Sequence, residues 1–211
     1  MNMILLSFAC GLALIYGVRF SLAGPSWTKS AIKTGSVVIL AVLALVGGGP
    51  LALVLGLLFG AMGDFWLSRD GARSVLVGLV SFAFGHIAYS VLLWQFGAVA
   101  AVSIWTVLLG FFSAAMALFL WQFAGALRVP VLGYIVIIAT MGILALGLPE
   151  TARVGLLAAL VFLVSDAVLS LEVFVLPHGA SIRQITSRVV WGTYFAAQLL
   201  FLLGFGGQLP L

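Results

Sequence analysis

From Leu51 to Gly63 the sequence reads LALVLGLLFGAMG, without one side chain that carries a charge. Apolar runs of about 17–23 residues recur along the whole chain, the length at which a helix crosses the hydrocarbon core of a bilayer, and not the shorter alternating pattern of a membrane strand. Inside a bilayer each backbone N–H and C=O must be satisfied by the protein itself, which an uninterrupted run of this length does as a helix. Charged residues make up only 7% of the chain, against about 25% in a soluble domain. A water-facing surface cannot be built from so few. The sequence therefore predicts an all-α, polytopic membrane bundle, folded as a single integral membrane domain over residues 1–211.

Eight transmembrane helices are expected, at roughly 3–20, 33–48, 51–68, 74–95, 99–122, 130–148, 152–172 and 189–206. The connections after spans one, three, five and seven hold Arg19, Lys29, Lys33, Arg69, Arg73, Arg128, Arg183 and Arg188; the opposite side holds only Arg153. Basic residues accumulate on the cytoplasmic side, so the odd-numbered connections are expected in the cytoplasm and both termini outside. The scattered charges form no patch, and nucleic acid is not an expected partner. The first run has no basic residue before it and Arg19 after it, the reverse of a cleaved signal peptide. It is expected to remain as the first helix. The basic loops and the lack of an organelle signal point to a bacterial inner (cell) membrane. The lone Cys10 cannot close an intrachain disulfide.

The chain has five acidic residues, and two of them occur in the same short pattern inside apolar runs: Asp64 in DFWLS and Asp166 in DAVLS. A carboxylate near the centre of a spanning helix costs roughly 2.5–3.5 kcal/mol on insertion scales, so each is a candidate functional group. The two patterns end spans three and seven, which run in the same direction. Either two helix ends are alike by chance, or the chain holds two four-helix repeats. Gly56, Gly60 and Asp64 share one helical face, a small-residue stripe that lets another helix approach closely. Gly155, Ala159 and Asp166 lie near one face of span seven. The two carboxylates are therefore expected to meet in one cavity. A plainer reading has Asp64 paired with Arg69 or Arg73. Glu172 is expected nearer water, as a loop charge, and Ser165 as a hydrogen-bond neighbour of Asp166.

Span four adds FAFGHIAY, in which Gly78, Phe82, Gly85, His86 and Tyr89 form one stripe. His86 is expected near the midplane, about 10 Å deeper than the two Asp residues by helical rise. It needs a polar partner there. Span eight offers Tyr194 and Gln198, one turn apart. His178 follows Pro177 in a loop and is expected to be solvated. Trp27, Trp94, Trp105, Trp121 and Trp191 fall near span ends, as an interfacial belt does. No HExxH, His/Cys cluster, Gly-x-Ser-x-Gly elbow or phosphate loop is present, so neither metal nor cofactor is expected.

Taken together, GDFWLS at 63–68, FAFGHIAY at 82–89, FLVSDAVLS at 162–170 and YFAAQLL at 194–200 resemble the YhhN-like lysoplasmalogenase family over essentially the whole chain. The resemblance implies an eight-span membrane enzyme that hydrolyses the vinyl-ether bond of lysoplasmalogens. The products would be a fatty aldehyde and glycerophosphoethanolamine or glycerophosphocholine, and the partners a lysophospholipid substrate and membrane lipid. The family's characteristic polar residues fall on Asp64, His86, Tyr89, Asp166, Tyr194 and Gln198. Such hydrolysis needs a proton donor for the alkene carbon, an anion near the resulting oxocarbenium ion, and a base for water. Asp64 and Asp166 are the candidate catalytic pair, as two carboxylates serve in glycoside hydrolysis; His86, Tyr89, Tyr194 and Gln198 are candidate binding or supporting residues. Two other readings use the same residues: a small proton-coupled transporter, which would leave its solute intact, and a lipid-binding protein in which they only join helices.

Overall fold

The computed structural model describes residues 2–100, 102–177 and 179–207, so His178 lies outside the described residues. Within them the chain forms α1 (Asn2–Ile15), α2 (Trp27–Val46), α3 (Leu51–Leu67), α4 (Ala72–Gln95), α5 (Ile104–Trp121), α6 (Arg128–Leu146), α7 (Arg153–Phe174) and α8 (Arg183–Phe205), and no strand. α1 runs on through a π-helical turn, Tyr16–Phe20. Seven helical stretches are long and apolar enough to cross a membrane, and Leu51–Leu67 is a shorter apolar helix. The chain is a multi-pass membrane protein, with Phe111, Leu118, Val102 and similar side chains exposed on its outer surface.

Local chemistry explains where helices begin. α2 starts at Trp27 and not near residue 33, because the Ser26 hydroxyl accepts a hydrogen bond from the Lys29 N–H at 3.1 Å. An N-cap of this kind satisfies one of the free donors of a helix start. Lys29 and Lys33 are thus helical and not in a loop. α5 starts at Ile104, later than expected, at a capping box in which Ser103 and Thr106 bond each other's N–H groups at 2.8 and 3.2 Å. α8 starts at Arg183, before the apolar pattern begins. Its first turns are polar and are held by the Thr186 and Ser187 hydroxyls, which donate to the Glu172 carboxylate. Glu172 is correspondingly buried, and not the loop charge expected. Between α3 and α4 the chain reverses at Gly71, whose φ of +103° suits glycine.

α2, α3, α4, α6, α7 and α8 form a ring in that order, α8 closing back on α2 and α3 touching α8 across it. α1 lies outside on α2, and α5 outside on α6. The neighbour pattern of α1–α4 thus recurs in α5–α8. A close seam joins α3 to α4. A Cβ at Gly56 would lie 2.4 Å from the Tyr89 ring, and one at Gly63 2.6 Å from the Phe82 ring. The small-residue stripe of α3 is the groove that accepts the aromatic stripe of α4. Tyr89 cannot move aside, since its ring stacks on Phe201 at 4.0 Å and its hydroxyl bonds Gln198.

Gly56→Ala is therefore expected to destabilise the protein by about 1–3 kcal/mol through overpacking. Gly110→Ala, where nothing lies within 4 Å of the added methyl, is expected to melt like the parent. Thermal unfolding of the three proteins in one detergent measures the difference.

Candidate active site

Both carboxylates are buried and both line one polar cavity of about 660 Å³. The C-terminal ends of α3 and α7, the N-terminal ends of α2, α4 and α8, and the chain after α1 all contribute to its wall. α4 and α7 therefore run antiparallel.

Asp64, 1% exposed, sits in the last turn of α3 with its Oδ1 2.9 Å from the Lys33 Nζ of α2. The expected partners Arg69 and Arg73 do not reach it. The early start of α2 has carried Lys33 two turns into the bundle, level with Asp64. The rings of Tyr16 and Trp191 flank the ammonium, each centroid 5.6 Å away. The indole N–H of Trp191 donates to the Ala13 carbonyl at 2.8 Å, so this residue is part of the core and not of an interfacial belt. The other Asp64 oxygen makes no hydrogen bond; the Tyr194 hydroxyl belongs to a side chain of α8 that lines the same chamber. That hydroxyl accepts from Gln198 Nε2 at 3.0 Å, and Gln198 Oε1 accepts from the Tyr89 hydroxyl. Tyr89 and Gln198 thus brace Tyr194 from behind, and neither lines the cavity.

Asp166, on α7, has a different set of partners. Its Oδ2 lies 2.9 Å from His86 Nε2 and also accepts a hydrogen bond from the Tyr134 hydroxyl of α6. Tyr134 and His86 Nε2 are themselves 2.8 Å apart. His86 does not lie far deeper than Asp166. The expectation from helical rise treated helix ends as level and side chains as points. In a helix each Cα–Cβ bond tilts toward the N-terminus. On antiparallel α4 and α7 the imidazole and the carboxylate therefore lean toward each other and meet. Nδ1 of His86 is buried without a partner, so the tautomer that fits carries its proton on Nε2 and donates to Asp166. An imidazolium would bury an unpaired N–H. The ring is fixed between Phe162, 4.6 Å away, and Tyr134. Ser165 turns from its neighbour and donates to the Val190 carbonyl at 3.0 Å. Among the described residues, Asp166 Oδ1 has no protein hydrogen-bond partner.

A second, narrow slot of about 80 Å³ opens on the other side of Asp166. Its walls are almost wholly apolar: Leu79 and Phe82 of α4, Phe112 and Met116 of α5, Ile138 of α6 and Leu163 of α7. Leu67, Val75, Phe82, Asp166, Leu169 and Val173 belong to both spaces, and Asp166 is the one polar side chain among them. Asp166 thus stands at a seam between a polar chamber and an apolar slot. Of the six residues expected at the site, Asp64, Asp166 and Tyr194 face the chamber, while His86, Tyr89 and Gln198 lie one layer behind it.

Two residues at the centre were not anticipated. Lys33 is expected in the connection after span one, although Ser26, directly before Trp27, is a readable N-cap. Tyr134 stands one turn after Pro130, inside an otherwise apolar span. It is one of only four tyrosines, and a lone hydroxyl at that depth was the available signal.

Removing one partner of a buried ion pair leaves the other charge uncompensated and costs about 3–5 kcal/mol. Lys33→Met is expected to lower stability on that scale, and Lys33→Met with Asp64→Asn to recover more than half of it. A double-mutant cycle of unfolding free energies in detergent checks this.

A family model described as the YhhN family matches residues 28–205. No curated protein and no solved structure matches the chain.

Proposed function

Because the chain belongs to the YhhN family, we propose that it is a membrane hydrolase that cleaves the vinyl-ether bond of lysoplasmalogens, releasing a fatty aldehyde and a glycerophospho-alcohol. The observation that carries this reading is the position of Asp166 between a polar chamber and an apolar slot. In a single-chain ether lipid, the alkenyl carbons adjoin the glycerol at that same boundary between polar head and apolar tail. With the headgroup in the chamber and the first carbons of the chain in the slot, the double bond comes to Asp166. The slot is smaller than the roughly 150 Å³ that encloses benzene, so it grips the start of the chain and leaves the remainder to lipid beside α5.

Asp166 is the acid in this scheme. Its Oδ2 is engaged by Tyr134 and His86, and Oδ1 carries the proton to the alkene carbon distal to oxygen. The carbon attached to oxygen becomes an oxocarbenium ion. Asp64, held as a carboxylate against Lys33, faces that cation across the chamber and takes a proton from the attacking water. The hemiacetal then collapses to aldehyde and alcohol, with one water consumed and the acid proton restored. No oxidant or metal is needed for the balance.

The same reading places eight spans in a bacterial inner membrane, with both termini outside and the chamber open to the cytoplasmic face. Arg19, Lys29, Arg69, Arg73, Arg183 and Arg188 cluster at that end of the bundle. It also favours two four-helix repeats. Asp64 takes a partner from α2, and Asp166 takes partners from α6 and α4; α2 and α6 correspond when α1–α4 are laid on α5–α8.

The test is incubation of purified protein with lysoplasmenylethanolamine and with its saturated alkyl-ether analogue, following aldehyde by mass spectrometry. Aldehyde is expected from the vinyl ether alone. Asp166→Asn is expected to lower the rate about 10²–10⁴-fold, the usual contribution of a general acid. Tyr134→Phe is expected to lower it about tenfold, the size of one hydrogen bond to a charged group. Full activity in both Asp64→Asn and Asp166→Asn would overturn the mechanism.

A further inference from the structure

The chamber wall carries four basic side chains, and three of them are engaged. Lys33 is paired with Asp64. Arg183 donates to the carbonyls of Glu172 and Leu176 at 2.9 and 3.0 Å, and the Lys29 ammonium donates to the Ala23 carbonyl at 2.5 Å. The fourth, Arg69, follows the C-terminus of α3. Its guanidinium lies 3.7 Å over the Trp27 ring and 5.2 Å from that of Phe65. Its Nε and Nη2 are buried and meet no hydrogen-bond acceptor. Among the described residues no carboxylate pairs with it.

Those two atoms belong to one edge of the guanidinium. Their hydrogens form the parallel fork that binds carboxylate or phosphate with two bonds. A buried, charged donor without an acceptor is costly, and native structures rarely keep one without a reason. Stacking on Trp27 fixes the plane of the fork before anything binds, so little side-chain freedom is lost when an anion arrives. The chamber's own carboxylates do not fill it. Asp64 and Asp166 are held by their partners, Glu172 is bound by Thr186 and Ser187, and Asp70, although next in sequence, makes no ion pair with Arg69.

The geometry points to a phosphate subsite at Arg69, on the chamber wall, that takes the phosphodiester of the lipid headgroup. The proposal rests on the lipid-hydrolase reading for the identity of that phosphate. It adds a residue that anchors the substrate at a distance from the reacting carbons. Arg69 is accordingly a binding residue, and its loss acts on affinity and not on the chemical step.

Binding without turnover separates the two claims. The probes are a saturated 1-alkyl-glycerophosphoethanolamine and the matching 1-alkylglycerol, which lacks the phosphate, measured on the full chain in detergent. Arg69→Gln, and Arg69→Lys, which keeps the charge but not the fork, are expected to bind the phospholipid about tenfold or more weakly, the worth of a charged hydrogen bond. Both are expected to bind the alkylglycerol as the parent does. Displacement of the phospholipid by millimolar inorganic phosphate in the parent but not in the variants would extend the site to free phosphate. No displacement, with the variant effect intact, would confine it to the lipid headgroup. Equal binding of the phospholipid by parent and both variants would overturn the subsite, as would equal loss of both lipids. Phosphate-dependent binding without any aldehyde from the vinyl-ether substrate would sink the hydrolase reading and leave the subsite standing. On active protein, the expected signature of Arg69→Gln is a raised KM with kcat little changed.

Discussion

Two carboxylates inside a bundle with so little polar material must be partnered from within, and the partners dictate which helices are neighbours. Asp64 draws Lys33 of α2 to α3 and shares the chamber with Tyr194 of α8. Asp166 draws His86 of α4 and Tyr134 of α6 to α7. These links run around the ring of six helices, and the two helices outside the ring, α1 and α5, contribute no partner to either carboxylate. An unpaired charge in this interior would cost several kcal/mol, more than most single packing contacts supply. The polar groups therefore select one arrangement among the many that apolar helices could adopt. The glycines of α3 then let α4 close on it, with Tyr89 and Phe82 seated where a side chain would otherwise stand.

The pairing also sorts the residues by task. Asp64 and Asp166 reach the chamber, and each is held by groups that do not move easily: Lys33 between two aromatic rings, His86 between Phe162 and Tyr134. Tyr89 and Gln198 hold Tyr194 from outside the chamber. A site built on helices and braced in this way keeps its geometry without a bound ligand. Along the seam between the apolar slot and the chamber, formed by residues of α3, α4 and α7, Asp166 is the one polar side chain, so a molecule with a polar and an apolar end is favoured in one orientation.

Much of this was legible in the sequence. Apolar length gave the helices, and helical spacing gave the stripes on α3 and α4, because both depend on local periodicity alone. The repeated Asp-x-x-Leu-Ser pattern marked the two carboxylates for the same reason. What was not legible depends on where helices begin and how side chains lean. Apolar content starts after Lys33 and suggests a connection there, whereas the Ser26 cap starts the helix before it. Rise along an axis puts His86 too deep because it ignores the opposite tilt of side chains on antiparallel helices. Nothing local to Tyr134 separates a packing tyrosine from one that donates to a carboxylate on another helix. Glu172 looked exposed because its partners, Thr186 and Ser187, come from a helix whose first turns have no apolar pattern.

The proposed reaction places a proton on the alkene carbon of a lipid whose head and tail are divided at Asp166. Turnover of lysoplasmenylethanolamine in D₂O tests it most directly. The parent protein is expected to form aldehyde with one deuterium on the carbon next to the carbonyl, and the Asp166→Asn variant about 10²–10⁴-fold less of it. Aldehyde released without deuterium at that carbon, or with it in equal amount from the variant, would contradict protonation at this site.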